Sequence, residues 1–362
     1  MPIHKSGFTK QNSIGMKGRG AIDNPTGRFE PYVIEADDTD NFPPGEAPAV
    51  PTRYFHDNTK SILARNDSPD IPFSVSINPY RGCEHGCIYC YARPTHEYLG
   101  LSAGVDFESK IFIKADAPKL LQAELSRRSW QPQIIAMSGV TDPYQPIERK
   151  LVITRGCLEV LARFRNPVGI VTKNHLITRD IDLLQELNEH RALAVHISLT
   201  TLDPHLARLM EPRASSPQRR LDAIAELADQ GIAVNVMCAP TIPGLNDHEL
   251  AELLKAAADA GAHTATYVLL RLPYGVKDLF SSWLDEHFPQ HKRKILQRLE
   301  QTRDGRLNST DYGSRMTGSG NYAEMLAQSF AVFRSRYGLD RTLPSLSTES
   351  VRRIEPGQGL LF

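Results

Sequence analysis

From Phe73 onward the chain alternates short runs rich in β-branched and aromatic residues with amphipathic stretches long enough for helices. That alternation confines it to parallel βαβ units, because a helical crossover returns each strand to the same direction. Six strands are expected, at 73–78, 133–138, 168–172, 193–199, 232–237 and 264–270, with helices at 117–129, 149–165, 178–189, 217–230 and 247–260. The helix ends carry their own punctuation. Ser216 before Pro217 reads as an N-cap with proline in the first turn, Asn246 and Glu249 as a capping pair, and Gly231 and Gly261 as residues just past helix ends. Six strand–helix units build either a doubly wound sheet or a partial barrel, and periodicity does not choose between them. In both, ligands gather at the carboxyl ends of the strands.

Polar and unusual residues stand at those ends. The first strand is followed by Asn78-Pro-Tyr-Arg-Gly-Cys-Glu-His-Gly-Cys-Ile-Tyr-Cys-Tyr-Ala-Arg93, whose C-x3-C-x2-C spacing brings Cys83, Cys87 and Cys90 within reach of one metal centre. Later ends carry Ser138 to Glu148, Lys173-Asn174-His175, Ser198 with Thr200 and Thr201, Cys238 to Asp247, and Arg271. Three thiolates are one fewer than a closed site takes. Either His85 or His96 completes a Cys3His zinc site, or the thiolates hold an iron–sulfur cluster with one iron open to a small molecule. A disulfide framework does not suit five cysteines, an odd number, in a chain that shows no secretory run. Cys238, at the mouth of the fifth strand, is a candidate hydrogen donor or auxiliary ligand, whereas Cys157 sits in a helical apolar run and reads as structural. Glu211, Arg213 and Arg219, after the fourth strand, are candidates for pairing with an anion.

With 362 residues and 41% hydrophobic content, the chain can bury a full core. Lysine plus arginine equals aspartate plus glutamate at 42 each, so net charge exerts no pull toward nucleic acid or acidic lipid. No run approaches the ~18 apolar residues of a membrane span, and a cytoplasmic protein is expected, where reducing conditions keep thiols free. Three regions follow from the composition shifts: an N-terminal arm (1–70), a core (71–272) and a C-terminal helical extension (273–362). The arm holds an acidic stretch at 35–40 and a turn at 41–45, with Arg28, Phe29, Tyr32, Tyr54 and Phe55 able to pack on a scaffold. The extension predicts helices at 277–303, whose basic run 291–298 reads as a solvated face, and at 322–337, preceded by the glycine-rich Gly313 to Gly320.

Four stretches resemble the radical S-adenosylmethionine superfamily, and within it the branch related to spore photoproduct lyase, over about residues 73–272. They are Asn78-Pro-Tyr-Arg-Gly-Cys, Tyr89-Cys-Tyr-Ala, Ser138 with Thr141-Asp142-Pro-Tyr-Gln-Pro-Ile-Glu148, and Thr172-Lys-Asn with Arg179-Asp-Ile. The resemblance implies an α/β fold, a partial (βα)6 TIM-like barrel, with a [4Fe-4S] cluster on Cys83, Cys87 and Cys90 and S-adenosylmethionine on its open iron. It implies an enzyme that cleaves S-adenosylmethionine reductively to a 5′-deoxyadenosyl radical for hydrogen abstraction, fed by a one-electron reductant such as flavodoxin or ferredoxin. Cofactor contacts would fall on Tyr89, Ser138, Thr141, Asp142, Lys173, Ser198, Ile242 and Gly244, and Tyr91 matches a tyrosine that takes part in radical transfer. One departure matters. Spore photoproduct lyase carries a cysteine near the end of the second strand that returns a hydrogen atom, whereas this chain has Met137-Ser138-Gly139, so thymine-dimer repair is not expected. The substrate stays unnamed, and a nucleic-acid substrate draws no support from net charge. The rival readings are a Cys3His zinc-binding module and an iron–sulfur protein confined to electron transfer.

Overall fold

The computed structural model describes residues 18–30 and 50–354; the acidic stretch 35–40, the turn 41–45 and Tyr32 lie outside them. Ten strands occur among these residues: β1 Arg53–His56, β2 Leu63–Arg65, β3 Val75–Ile77, β4 Tyr80–Arg81, β5 Lys110–Ile113, β6 Ile135–Met137, β7 Val168–Thr172, β8 Leu193–Ser198, β9 Val234–Thr241 and β10 Thr264–Leu269. All six expected strands form, as β3 and β6 to β10, and each pairs in parallel with the next. The sheet order β10-β9-β8-β7-β6-β3-β2 follows the sequence without reversal, which rules out a doubly wound sheet, whose strand order turns back at a switch point. The result is a singly wound array of the partial-barrel kind. Among the described residues no strand pairing closes it, and β2 adds an antiparallel edge to β3.

Strand parity separates two faces. Ile77, Met137, Ile170, Val195, Val234 and Val236 face helices, and their cluster includes Leu158, Leu161, Leu184, Leu187, Ile224, Leu227, Leu253 and Leu254. Alternate positions facing the other way are small or polar, Ser76, Ala136, Gly169 and Ala194 in one row, with Asn235 reaching both His196 and Thr266. Burying the first set is what drives the sheet to form. A buried aliphatic side chain contributes about 1.5–3 kcal/mol.

The crossover helices depart from expectation at their starts. The helix expected at 149–165 is split into Glu148–Leu151 and Ile153–Phe164 by Val152, which takes a left-handed φ of 57°. The Glu148 carboxylate accepts from the Thr154 amide at 3.0 Å and so serves the new helix start. Ser216 caps helix Pro217–Asp229 as expected, and Gly231 and Gly261 take φ of +72° and +90° past their helices. Asn246 does not cap. Its side chain accepts from the Ile242 amide at 2.6 Å and donates to the carbonyls of Thr200 and Pro240, holding the loop after β9.

The C-terminal segments pack on the scaffold. Helices Val276–His287 and Lys292–Gln301 replace one expected helix, and Phe280, Trp283, Ile295 and Leu299 share a buried cluster with Cys87, Ile88 and Ile242. The basic run is thus the outer face of an amphipathic helix. Helix Gly320–Arg336 sets Phe330 against Tyr267 of β10.

His96 lies behind the cysteine loop, edge-on to Phe107 and Phe112, with Nε2 donating to the Lys110 carbonyl at 2.9 Å and Nδ1 buried without a partner. Burial pushes its pKa down to about 4 from the ordinary 6.5. The unfolded chain therefore binds a proton that the folded chain refuses, so this contribution to stability is present above about pH 6.5 and lost as pH falls toward 4. Denaturant titrations should show stability falling more steeply across that window in the natural chain than in His96→Gln; equal slopes would refute the assignment.

Candidate functional site

The cysteine loop leaves β3 and is held from behind by one buried ion pair. Arg93, fully buried, donates to the carbonyls of Gly86 at 3.0 Å, Cys87 at 2.8 Å, Ala103 at 3.1 Å and Gly104 at 2.9 Å, and pairs with the buried carboxylate of Glu108. Glu108 in turn accepts from the amides of Gly20 at 2.9 Å and Ala21 at 2.8 Å. Gly20 rests so closely on the loop that a Cβ there would collide with the Gly86 carbonyl oxygen. Gly86 itself takes a φ of +67°, the left-handed turn that brings Cys87 round after Cys83. The three thiols lie near enough for their charges to interact. Burial, and then the neighbouring Glu211 carboxylate, pushes the Cys87 thiol far up, while burial and Cys83 push Cys90 up to about 11. Without a cation these sulfurs stay protonated, which is the electrostatic state that a metal centre reverses.

A second buried carboxylate faces the loop from the end of helix Pro204–Met210, in the connection between β8 and β9. Glu211 accepts from Thr200 Oγ1 at 2.7 Å, pairs with Arg220, bonds the Tyr89 hydroxyl, and stands 3.2 Å from Lys173 Nζ. Burial alone would raise its pKa, but Arg220 and Lys173 outweigh burial and hold it well below the carboxylate range. Lys173 also donates to Ser198 Oγ at 2.6 Å, Thr200 Oγ1 at 3.2 Å and the Ala239 carbonyl at 3.2 Å, and its ammonium lies 5.5 Å from the Tyr89 ring centre. A third group sits beside Cys83. His85 Nδ1 is 3.3 Å from Asp142, and its Nε2 is 3.1 Å from the Asn174 amide nitrogen. Burial opposes protonation of His85, while Asp142 and then Cys83 push its pKa up to about 10.

The expected site residues divide accordingly. Cys83, Cys87, Cys90, Tyr89, Lys173 and Ser198 come together at the carboxyl ends of the strands. Ser138 follows β6 with a φ of 103°, uncommon for a residue with a side chain and the kind of strain that collects at working sites. Thr141 and Asp142 are spent on the scaffold: Thr141 Oγ1 donates to the Gly82 carbonyl at 2.7 Å, and Asp142 receives Thr172 Oγ1, the Lys173 amide and the Tyr144 amide. Ile242 is fully buried, and Gly244, at φ +82°, packs on Arg298. Tyr91 stands at the rim, 54% exposed, its hydroxyl donating to the Gly139 carbonyl at 2.7 Å.

Cys238 is a correction. It shares parity with Val234 and Val236, faces the helices in the apolar cluster at 2% exposure, and burial pushes its thiol up to about 12, so it is not presented to the cysteine loop. Cys157 lies in the same cluster. His85 is engaged by Asp142 and Asn174 and also lies against Cys83, whereas His96 packs between rings and is turned away from the three thiols. Among the described residues no group of three or more His, Cys, Asp or Glu side chains surrounds a single ion position. Arg213 reaches Thr52 and Glu84, and Arg219 pairs on the surface with Asp222. Sequence reasoning missed Arg93, Glu108 and Arg220; their signal, charged residues in otherwise apolar surroundings, emerges only when the chain is folded.

Comparison with known proteins agrees with this layout. A family model described as the Radical SAM superfamily matches residues 77–257. An uncharacterised protein of Mycobacterium bovis is 37% identical over 222 residues, which is 61% of this chain and 65% of the relative, so the match spans just under two thirds of that relative's length. A radical SAM Nα-GlyT isomerase of Pseudomonas phage M6 is 26% identical over 199 residues, 54% of this chain and 38% of that protein. The structure of spore photoproduct lyase complexed with dinucleoside spore photoproduct superposes with a TM-score of 0.54 at 16% identity, covering 78% of this chain and 79% of that one, which shows a shared fold.

Glu211→Gln keeps the shape of the second wall but leaves Arg220 and Lys173 without their counter-charge. Unfolding by denaturant should show a loss of about 3–5 kcal/mol, the cost of breaking a buried pair, against under about 0.5 kcal/mol for the surface variant Arg219→Gln.

Proposed function

The chain belongs to the radical SAM superfamily, and from that premise we propose that Cys83, Cys87 and Cys90 hold a [4Fe-4S] cluster whose open iron takes S-adenosylmethionine. The observation that carries this reading is the loop itself: three thiols in the loop that follows β3, two of them, Cys87 and Cys90, pushed up in pKa by burial, on a backbone pinned by Arg93. The donor set fits. It is all sulfur, three thiols on one short loop, the ligand type that an iron–sulfur cluster takes. When bound, the pair supplies one-electron cleavage of the sulfonium to methionine and a 5′-deoxyadenosyl radical, which takes hydrogen from a substrate.

The protein's own residues supply placement. Lys173, held by Ser198, Thr200 and Glu211, presents an ammonium suited to the cofactor's carboxylate, and Ser198 lies beside it for the ribose. The backbone at Tyr89 and the Ile242–Gly244 turn, which Asn246 shapes, form the adenine side. Ser138 and nearby carbonyls remain for the cofactor's amino group, because Thr141 and Asp142 are committed to Gly82, His85 and Thr172; we assign those two to positioning. Tyr91, at the rim, is placed to meet the substrate or pass a radical. All five cysteines have assigned places, three in the loop and two, Cys157 and Cys238, buried in the apolar cluster, so hydrogen return does not use a thiol. That separates this chain from thymine-lesion repair. The electron donor is a flavodoxin- or ferredoxin-type protein.

Anaerobic reconstitution should give a brown protein with about four irons and four sulfides per chain. With dithionite and S-adenosylmethionine it should form 5′-deoxyadenosine, and Cys87→Ala should lose both the iron and the product. Colourless, zinc-loaded protein inert toward S-adenosylmethionine would overturn the reading. Cluster without 5′-deoxyadenosine would leave only electron transfer.

A further inference from the structure

The mouth of the sheet holds positive charge that the cofactor reading leaves unused. Arg271 follows β10 at its carboxyl end, beside Tyr91, and makes no ion pair with a described carboxylate. Among the described residues its Nε is buried without a partner, and its side-chain contact of hydrogen-bond type is from Nη1 to the Met316 sulfur at 3.6 Å. Burial, and then Arg315, draws its pKa down. Behind it Arg303, 1% exposed, donates to the carbonyls of Leu269, Leu270 and Arg315 and has no carboxylate either; burial and Arg271 push it down to about 10. The one acid nearby, Asp70, is already forked by Arg315. That fork joins the β2–β3 connection, at one edge of the sheet, to the segment whose Met316 carbonyl accepts from Leu269 of β10 at the other edge. Arg271 therefore lies between the two edges, inside the opening that the ion pair bridges.

Among the described residues, two guanidinium groups and one acid, itself matched to a third arginine, leave the opening with uncompensated positive charge. A desolvated charge without a partner costs several kcal/mol, and a planar guanidinium with a free edge matches the two oxygens of a carboxylate or phosphate. We propose that Arg271 is the anchor for an oxyanion of the substrate, a phosphate or carboxylate, with Arg303 fixing the strand end that carries it and Tyr91 flanking the bound group. This rests on the radical reading for its meaning, since it names the chemistry of the substrate presented to the radical, and it places the specificity-determining charge on the side of the mouth opposite Lys173. Arg271 binds and orients; no bond to it is made or broken.

The test is isothermal titration of the full-length, cluster-loaded protein with inorganic phosphate and, separately, with acetate. At least one probe should bind saturably, and the stronger of the two identifies the class of oxyanion. Arg271→Gln should weaken that binding at least tenfold, Arg271→Lys, which keeps the charge but not the fork, by a smaller factor, and the exposed Arg336→Gln not at all. Saturable binding of neither probe, equal affinity in Arg271→Gln, or an equal loss of S-adenosylmethionine affinity in that variant would overturn the proposal. Should Arg271→Gln fail to fold, the Lys variant carries the same comparison. Formation of 5′-deoxyadenosine by the natural chain is measured alongside: its absence would sink the radical reading, while the titration would still decide whether Arg271 holds an oxyanion.

Discussion

The pairing of Arg93 with Glu108 is the constraint on which the rest of the site depends. Neither charge reaches solvent, so each would be prohibitively placed without the other. Together they tie four stretches of backbone into one unit: the Gly20–Ala21 amides, the Gly86 and Cys87 carbonyls, the Ala103 and Gly104 carbonyls, and the segment that carries Glu108 itself. A loop with two left-handed glycines and three thiols has little apolar area with which to hold a single conformation. Charge-assisted hydrogen bonds to its carbonyls supply what burial does not. The N-terminal residues 18–30 thereby become part of the site's support, with Arg19 bonding Glu108, Val50 and Thr52, and Asn24 bonding Asp106.

Glu211 repeats the device on the other side. It gathers Arg220, Lys173, Thr200 and Tyr89, and so joins the ends of β7 and β8 and the helix Pro217–Asp229 to the middle of the cysteine loop. The two buried acids differ in what they face. Glu108 is enclosed by backbone donors and a single guanidinium, whereas Glu211 is balanced by two cations, one of which, Lys173, is only partly buried and turned to the cleft. The first arrangement serves rigidity; the second leaves a cation that can change partner when an anion arrives. The C-terminal helices complete the support by packing Trp283 and Ile295 against the cluster that includes Cys87 and Ile88.

Much of the scaffold was legible because its physics is local. Period-two apolar runs such as 193–199 and amphipathic helices such as Pro217–Asp229 announce themselves, and the observed strand ends differ from expectation by a few residues. The misreadings share a cause. Cys238 was judged by its place along a strand, but its parity turns it toward the helices, and parity means nothing until the core side of the sheet is known. Asn246 and Glu249 have the spacing of a capping pair, yet Asn246 is drawn to Ile242, Thr200 and Pro240, while Glu249 receives Thr201 and Leu202. Thr141 and Asp142 were read as groups facing a ligand, and long-range partners at Gly82 and His85 use their oxygens first.

The chain by itself determined the class of architecture and the three-thiol loop, because both rest on spacing: apolar period, glycine and proline placement, and cysteines three and two residues apart. Only the tertiary structure decided that the sheet is singly wound, that His96 packs between rings, and that Arg93, Glu108, Glu211 and Arg271 are the charges that matter. The reason is range. A hydrophobic repeat acts between neighbours in sequence, whereas a buried charge is defined by partners tens of residues away, such as Glu108 by Gly20 or Tyr89 by Glu211, and those meet only when the fold has formed.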